Sequence, residues 1–288
     1  MTIVLDGILQ FKGGVSVGPY KYGEKSTVRP SFCLFIDALG FSKEIIENDN
    51  GDDSKKANRH LKKFYKALDK ALAHLNDETE ELWGAKIFTD NIVLGSPLDT
   101  WSGGDEEGVF GSIINHLIWY QLTMVQHGFF IRGGWSRGNL YMDEKIVYGK
   151  ALIEAYQLEC DKAKYPRILL SENMKKMVYK HMGYYVYKNQ SPQRYHLLKD
   201  ENDDCFVNYL YGILDYAESY ESVGYMLGEH KKYIKKKLKK FKNDSDVLPK
   251  YRWLAYYHDF FCRTFFENNT EEYLIDLGKE DSWEIKLL

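Results

Sequence analysis

Cysteine is sparse and scattered in this chain. The four residues, Cys33, Cys160, Cys205 and Cys262, form no C-x-x-C pair, so neither a zinc site of that spacing nor a disulfide framework is indicated. A reducing cytosol is the expected setting. Excess charge is also missing: a net charge of −3 implies no global polyelectrolyte role. No run approaches the roughly 18 apolar residues that would span a bilayer. The first residues show no basic segment followed by a long apolar stretch, so no signal peptide is expected, and the protein reads as soluble and cytoplasmic. The histidines are dispersed without H-x-x-x-H or H-E-x-x-H spacing, which argues against a zinc hydrolase. No G-x-S-x-G or Walker lysine motif is present.

What is present is apolar and aromatic mass, 44% and 15% of 288 residues. That is enough for one large domain, or one domain with a substantial appendage. A lead-in over residues 1–30 holds one expected edge strand, Thr2 to Leu5. The continuous apolar run 32–37 predicts a buried strand. Leu61, Phe64, Leu68, Ala71, Leu72 and Leu75 recur at helical spacing. Residues 82–88 and 91–96, separated by Thr89-Asp90, have the composition of a hairpin. An acidic loop over 99–108 leads to an apolar helix from Val109 to Gln126. Strands are then predicted over 129–132 and 135–141, interrupted at Gly133-Gly134 by a kink that allows close backbone approach, and again at 146–148. A helix over 150–162, a short strand over 167–170 and a Ser171-capped helix follow, with a closing strand or hairpin over 184–198. This order suggests an α+β or α/β sheet covered by helices. Composition changes near the run Asp200 to Asp204. We therefore expect a catalytic unit over residues 1–200 and a helical extension over 201–288.

Two short blocks carry the chemistry. Phe35-Ile36-Asp37-Ala38-Leu39-Gly40-Phe41-Ser42 and Lys86-Ile87-Phe88-Thr89-Asp90-Asn91 each set an aspartate at the end of an apolar strand, beside a tight turn. Taken singly, each is also explained as a helix N-cap or a turn residue. If the strands are neighbours, both carboxylates emerge at one sheet edge. Divalent metals favour one or two carboxylates plus phosphate oxygens, and a metal pair can serve both the attacking and the leaving oxygen. The turn after Asp37 offers backbone N–H groups to phosphates.

These blocks resemble those of the class III nucleotidyl cyclases. Asp37 followed by Ala38, Leu39, Gly40, Phe41 and Ser42 is similar to the first metal block. Lys86, four residues before Asp90, is similar to the second, with Thr89 where the family usually has Gly. Phe130-Ile131-Arg132-Gly133-Gly134-Trp135-Ser136-Arg137-Gly138 resembles the Arg-bearing strand, and Tyr148-Gly149-Lys150-Ala151-Leu152 the start of the helix with the transition-state residues. The resemblance spans roughly residues 30–170, in order, and implies an α+β fold with a central mostly antiparallel sheet covered by helices. It implies two Mg²⁺ or Mn²⁺ ions on Asp37 and Asp90, with the Ala38 carbonyl as a further ligand. It also implies phosphates on the backbone of Gly40, Phe41 and Ser42, a nucleotide base near Lys86, and a homodimer with sites at the interface.

The departures are specific. Ile153 and Gln157 stand where the family carries Asn and Arg, and Ile146 where an Asp helps Lys read a purine. A cation is still required by developing phosphate charge; Arg132, Arg137 and Lys150 are the candidates. Together with the Tyr-Gly-Lys-Ala-Leu-Ile-Glu-Ala stretch, this resembles the pyrimidine cyclases of bacterial Pycsar anti-phage systems. It implies UTP or CTP as substrate and a cUMP or cCMP product acting on a separate effector.

Two further features are read as structural. In the basic segment His230 to Lys242, Ile234, Leu238 and Phe241 form one narrow apolar face, so solvated lysines on a docked helix are expected rather than nucleic-acid or membrane binding. The aromatic run 251–261 is expected in the core or at a dimer contact rather than at a cofactor site. Competing functions are a palm-type synthase of cyclic dinucleotides, whose Gly-Gly-Asp/Glu-Glu-Phe signature is absent, and a catalytically degenerate nucleotide-binding protein.

Overall fold

The computed structural model describes residues 19–22, 25–49, 54–75, 82–100, 105–187, 190–266, 270–278 and 283–288. The expected strand Thr2 to Leu5 and the middle of the loop 99–108 lie outside them. In chain order the elements are β1 (Lys21–Tyr22), β2 (Lys25–Ser26), β3 (Arg29–Ala38), α1 (Phe41–Asn48), α2 (Lys55–Ala73), β4 (Gly84–Phe88), β5 (Asn91–Pro97), α3 (Glu106–Gln126), β6 (Ile131–Met142), β7 (Val147–Tyr148), α4 (Lys150–Asp161), β8 (Ile168–Leu170), α5 (Glu172–Met182), α6 (Gln193–His196), β9 (Leu197–Asp200), β10 (Cys205–Val207), α7 (Tyr211–Tyr216), α8 (Tyr220–Lys240), α9 (Leu248–Phe265), α10 (Thr270–Tyr273) and β11 (Ile285–Leu287).

The fold is α+β. The main sheet runs β11-β9-β10-β8-β6-β3-β5-β4, with β7 paired to the far end of β6. Its pairings are antiparallel except β6 with β8. Strand alternation on β3 divides the core. Phe32, Leu34 and Ile36 join the large cluster built with α2, α3, α8 and α9, whereas Cys33 and Phe35 join a small one with Ala151 and Ala155 of α4. One face of the sheet is thus thickly covered and the other carries a thin layer. On the thick side Trp135 stacks on Phe110, with ring centroids 5.1 Å apart, an arrangement worth about 0.5–1.5 kcal/mol beyond its buried area.

Two expected elements are corrected. The strand predicted to break at Gly133-Gly134 runs unbroken over Ile131–Met142. The glycines do serve the expected close approach, without a break: a Cβ on Gly134 would sit 2.2 Å from the Ala155 carbonyl oxygen, so α4 lies directly on the backbone of β6. The closing strand or hairpin over 184–198 is replaced by bends through Val186 and the short helix α6, with β9 beginning only at Leu197.

The residues beyond 200 supply β10 and β11 to the main sheet and the helices α7 to α10. α8 docks through buried Ile234 and Phe241 and half-buried Leu238. One of its lysines is not solvated as expected: buried Lys237 places Nζ 2.5 Å from Oε1 of Glu44 on α1, and the more exposed Lys240 reaches the same oxygen at 3.0 Å. In α9, Tyr251, Trp253, Tyr257 and Phe261 are buried, which agrees with the core reading of that run. Among the described residues no helix is long and apolar enough to cross a membrane.

Candidate two-carboxylate site

Asp37 follows Cys33 and Phe35 on the thin side of β3, one residue from the strand's end. Gly40 then turns the chain in the left-handed region, φ 73°, and α1 begins at Phe41. The turn is held from several sides. Leu39 N–H donates to the Phe130 carbonyl at 2.8 Å. The Tyr251 hydroxyl donates to the Leu39 carbonyl at 3.3 Å. Phe41 packs its ring 4.3 Å from that of Phe64. These contacts leave the first N–H groups of α1, near exposed Ser42, without partners inside the helix.

The second carboxylate arrives on the β4–β5 hairpin. β3 and β5 pair in register to Ile36↔Ile92, which sets the Thr89-Asp90 turn beside Asp37. Asp90 is buried. Thr89 adopts φ 58°, so the position preceding Asp90 demands a conformation that glycine accepts and a β-branched residue resists. Two residues before Phe88, whose ring lies 6.3 Å from that of Phe35, Lys86 shares this side of the sheet. Its ammonium donates to the backbone carbonyl of Glu144, in the turn between β6 and β7.

Charge at the site is unbalanced. Arg132, directly opposite Asp37 in the β3–β6 ladder, places Nε 2.8 Å from Asp37 Oδ2 and Nη2 2.7 Å from Glu159 Oε1. Nη1 donates to the Ala163 carbonyl at 3.2 Å. Asp90 stands within hydrogen-bonding range of Asp37. Burial, reinforced by Asp90, outweighs the lowering pull of Arg132 and lifts the Asp37 carboxyl to about 7. Asp37 and Glu159 thus share one guanidinium, and Asp90 adds a further carboxyl against Asp37. Lys250, in the first turn of α9, is near enough to feel both groups. Burial lowers its pKa and Arg132 adds to that, while Asp37 opposes. Its ammonium has no ion pair among the described residues.

The structure brings together Asp37, Ala38, Gly40, Phe41, Ser42, Asp90 and Arg132, with Lys86 on the same side of the sheet. It does not bring Arg137 or Lys150 to them. Arg137 alternates to the opposite face of β6 and pairs with Glu106 of α3. Lys150 opens α4, exposed and 3.3 Å from Glu154, nine residues or about 14 Å of helix away from Glu159. Ile146 and Ile153 are exposed. Gln157 lines a shallow cleft toward α5, with Asp161, Lys162 and Glu172. Sequence reasoning missed Glu159, Lys250 and Glu44. Glu159 had a signal: it continues the i, i+4 series Ala151, Ala155 on the buried face of α4. Lys250 had none, because only the packing of α9 on the Gly40 turn brings it near.

Among the described residues no three His, Cys, Asp or Glu side chains are arranged to hold a metal on their own. The donor set still suits a hard cation that takes its remaining ligands from phosphate and water: two abutting carboxylates, one held partly protonated near neutrality, are short of positive charge.

No family model and no curated protein sequence matches the chain. Among solved structures, the guanylyl cyclase Cya2 is similar over 63% of this chain and 90% of its own, at 14% identity and a TM-score of 0.38. Two structures of a bacterial light-regulated adenylyl cyclase are similar over 69% and 72% of this chain, each at 13% identity, with TM-scores of 0.42 and 0.41. The match spans 56% and 58% of those two chains. At these values the likeness says nothing of substrate or reaction.

Proposed function

We propose that the chain is a nucleotidyl cyclase that converts a pyrimidine nucleoside triphosphate, UTP or CTP, to its 3′,5′-cyclic monophosphate and pyrophosphate. The observation that carries this reading is the abutment of Asp37 and Asp90 beside the Gly40 turn. In the proposed reaction the 3′-oxygen of the substrate bonds to its own α-phosphorus. The bond from that phosphorus to the bridging oxygen breaks, pyrophosphate leaves with the electron pair, and the hydroxyl proton passes to water.

Bound Mg²⁺ or Mn²⁺, two ions per site, would supply the charge that acidifies the hydroxyl and stabilises the leaving group. Asp37, Asp90 and the Ala38 carbonyl are the proposed ligands. The backbone N–H groups at Gly40, Phe41 and Ser42 are proposed to receive phosphate oxygens. With two carboxylates on it, Arg132 is proposed to fix the Asp37 rotamer, and Lys250 to meet the charge of the phosphate chain. Lys86 is proposed to lie near the base. The pyrimidine reading is supported by exposed, apolar Ile146 at the purine-reading position and by the engagement of Lys86 with a backbone carbonyl.

A homodimer is part of the proposal. Phe88, Ile146, Tyr148, Ile153 and Tyr156 are exposed apolar side chains from β4, β7 with its preceding turn, and α4, on the thinly covered side, where a second copy would seclude them. The catalytic unit is proposed to be residues 1–200, braced by 201–288, and the product to act on a separate effector in antiviral defence. Incubation with each of the four ribonucleoside triphosphates and Mn²⁺, followed by mass analysis, tests the reading. A cyclic mononucleotide from UTP or CTP is expected. A dinucleotide product, or binding without turnover, contradicts it.

A further inference from the structure

Positive charge is concentrated on two helices that are remote in sequence. Residues 55–73 hold seven Lys or Arg against one acid, Asp69, and residues 230–242 hold eight lysines and no acid, in a chain of net charge −3. Each stretch alone reads as the solvated side of a docked helix. The spacing is more specific. Arg59, Lys63, Lys66 and Lys70 fall at i, i+4, i+7 and i+11, one stripe on α2, and Lys232, Lys236 and Lys239 fall at i, i+4 and i+7, one stripe on α8.

The fold brings the two stripes together at Lys63. Lys63 and Lys232 approach the same ring, that of Tyr233, at 5.9 and 6.0 Å. Burial lowers the pKa of Lys63, and the nearby charges of Lys237 and Lys236 push it the same way. Lys237 and Lys240 are taken up by Glu44, and Lys232 by Glu229. Lys66, Lys70, Lys236 and Lys239 are exposed, and none has an ion pair among the described residues. Like charges gathered this way repel, and a polyanion laid along them would relieve that repulsion.

We propose that α2 and α8 together form a cationic face that holds the phosphate backbone of a nucleic acid. A membrane surface fits less well. Interfacial helices carry apolar side chains that enter the lipid, whereas exposed Leu61 and Tyr65 lie on the side of α2 away from its stripe. Six of the seven stripe residues are lysines, point charges without the guanidinium fork that reads guanine. Binding therefore follows the backbone and ignores sequence.

The test is fluorescence anisotropy of the full chain with a labelled 24-base-pair DNA duplex and the matching RNA duplex, across 50–200 mM salt. Contact with about five phosphates predicts a roughly 500-fold loss of affinity over that range. Lys66→Glu/Lys70→Glu on α2 and Lys236→Glu/Lys239→Glu on α8 should each weaken binding at least about tenfold, and jointly abolish it, with circular dichroism unchanged. If a reversal unfolds the chain, the Gln versions of the same pairs serve. Absence of binding at 50 mM salt overturns the proposal. So does a flat salt response, dependence on one helix alone, or capture by phosphatidylserine vesicles without capture by either duplex.

Discussion

Replacing Lys237 with Met should loosen the turn that carries the first carboxylate, and the size of the effect can be worked from Glu44. Its carboxylate and the Lys237 ammonium lie 2.5 Å apart, with side chains only 9% and 11% exposed. Burial alone would raise the Glu44 pKa, but Lys237, then Lys240, outweigh it and bring it from 4.5 to about 2. A drop of that size corresponds to roughly 3 kcal/mol. Lys240 would remain in the variant, more exposed and better screened, so the expected loss is about 2 kcal/mol in urea unfolding at pH 7. Met keeps most of the buried stem, which separates loss of charge from loss of packing. Adding Glu44→Gln should recover much of that loss, since the orphaned charge goes with it. The pH dependence has a definite sign. The folded-state pKa lies below the unfolded one, so this stability is fully present above pH 4.5 and is lost as pH falls toward 2. The variant should lose less than the parent in that window. Because α1 leaves the Gly40 turn just before Glu44, turnover should fall as well. A Lys237→Met protein within about 0.5 kcal/mol of the parent would refute the reasoning, since that is the behaviour of an exposed pair.

Two other perturbations have definite directions. Thr89→Gly should raise stability by about 1 kcal/mol, read as a higher urea midpoint, because Thr89 sits at φ 58°; a lower midpoint would mean that the strain is not there. The buried pair His230 and His258 fixes its own protons. The Tyr273 carbonyl can only accept, at 3.0 Å from His258 Nε2, so His258 Nδ1 accepts from His230 Nδ1 at 2.8 Å, and Tyr209 donates to His230 Nε2. Burial holds His258 down at about 4 and His230 well below its ordinary value. Stability is therefore present above pH 6.5 and lost as pH falls toward 4, by up to about 3 kcal/mol. Urea unfolding across that window should be flatter for His230→Phe/His258→Leu; an equal slope would exclude the pair as the cause.

Much of this site was legible because its parts are local. The buried strand before Asp37, the two-residue Thr89-Asp90 turn and the left-handed Gly40 each follow from adjacent residues. The order of elements left α+β and α/β open; the mostly antiparallel sheet was expected only from the family resemblance. What the sequence hid is the product of long-range packing. Glu159 comes to Arg132 only because α4 lies on the glycine backbone of β6. Lys237 is buried only because α8 meets α1, 193 positions away in the chain. Two expected partners are absent for local reasons: Arg137, an odd number of positions from Arg132, alternates to the other face of β6, and Lys150 begins its helix far from the carboxylates. At Gly133-Gly134 the close approach was legible and the unbroken strand was not, since a glycine pair that admits a neighbouring backbone looks in sequence like one that interrupts a strand.

The most direct measurement compares cyclic nucleotide formation by the parent with Asp37→Ala and Asp90→Ala, each with Mn²⁺ and the preferred triphosphate, while thermal unfolding monitors the fold. The two-carboxylate account predicts that each substitution abolishes product and leaves a cooperative unfolding transition in place. Near-parent product from either variant would contradict it.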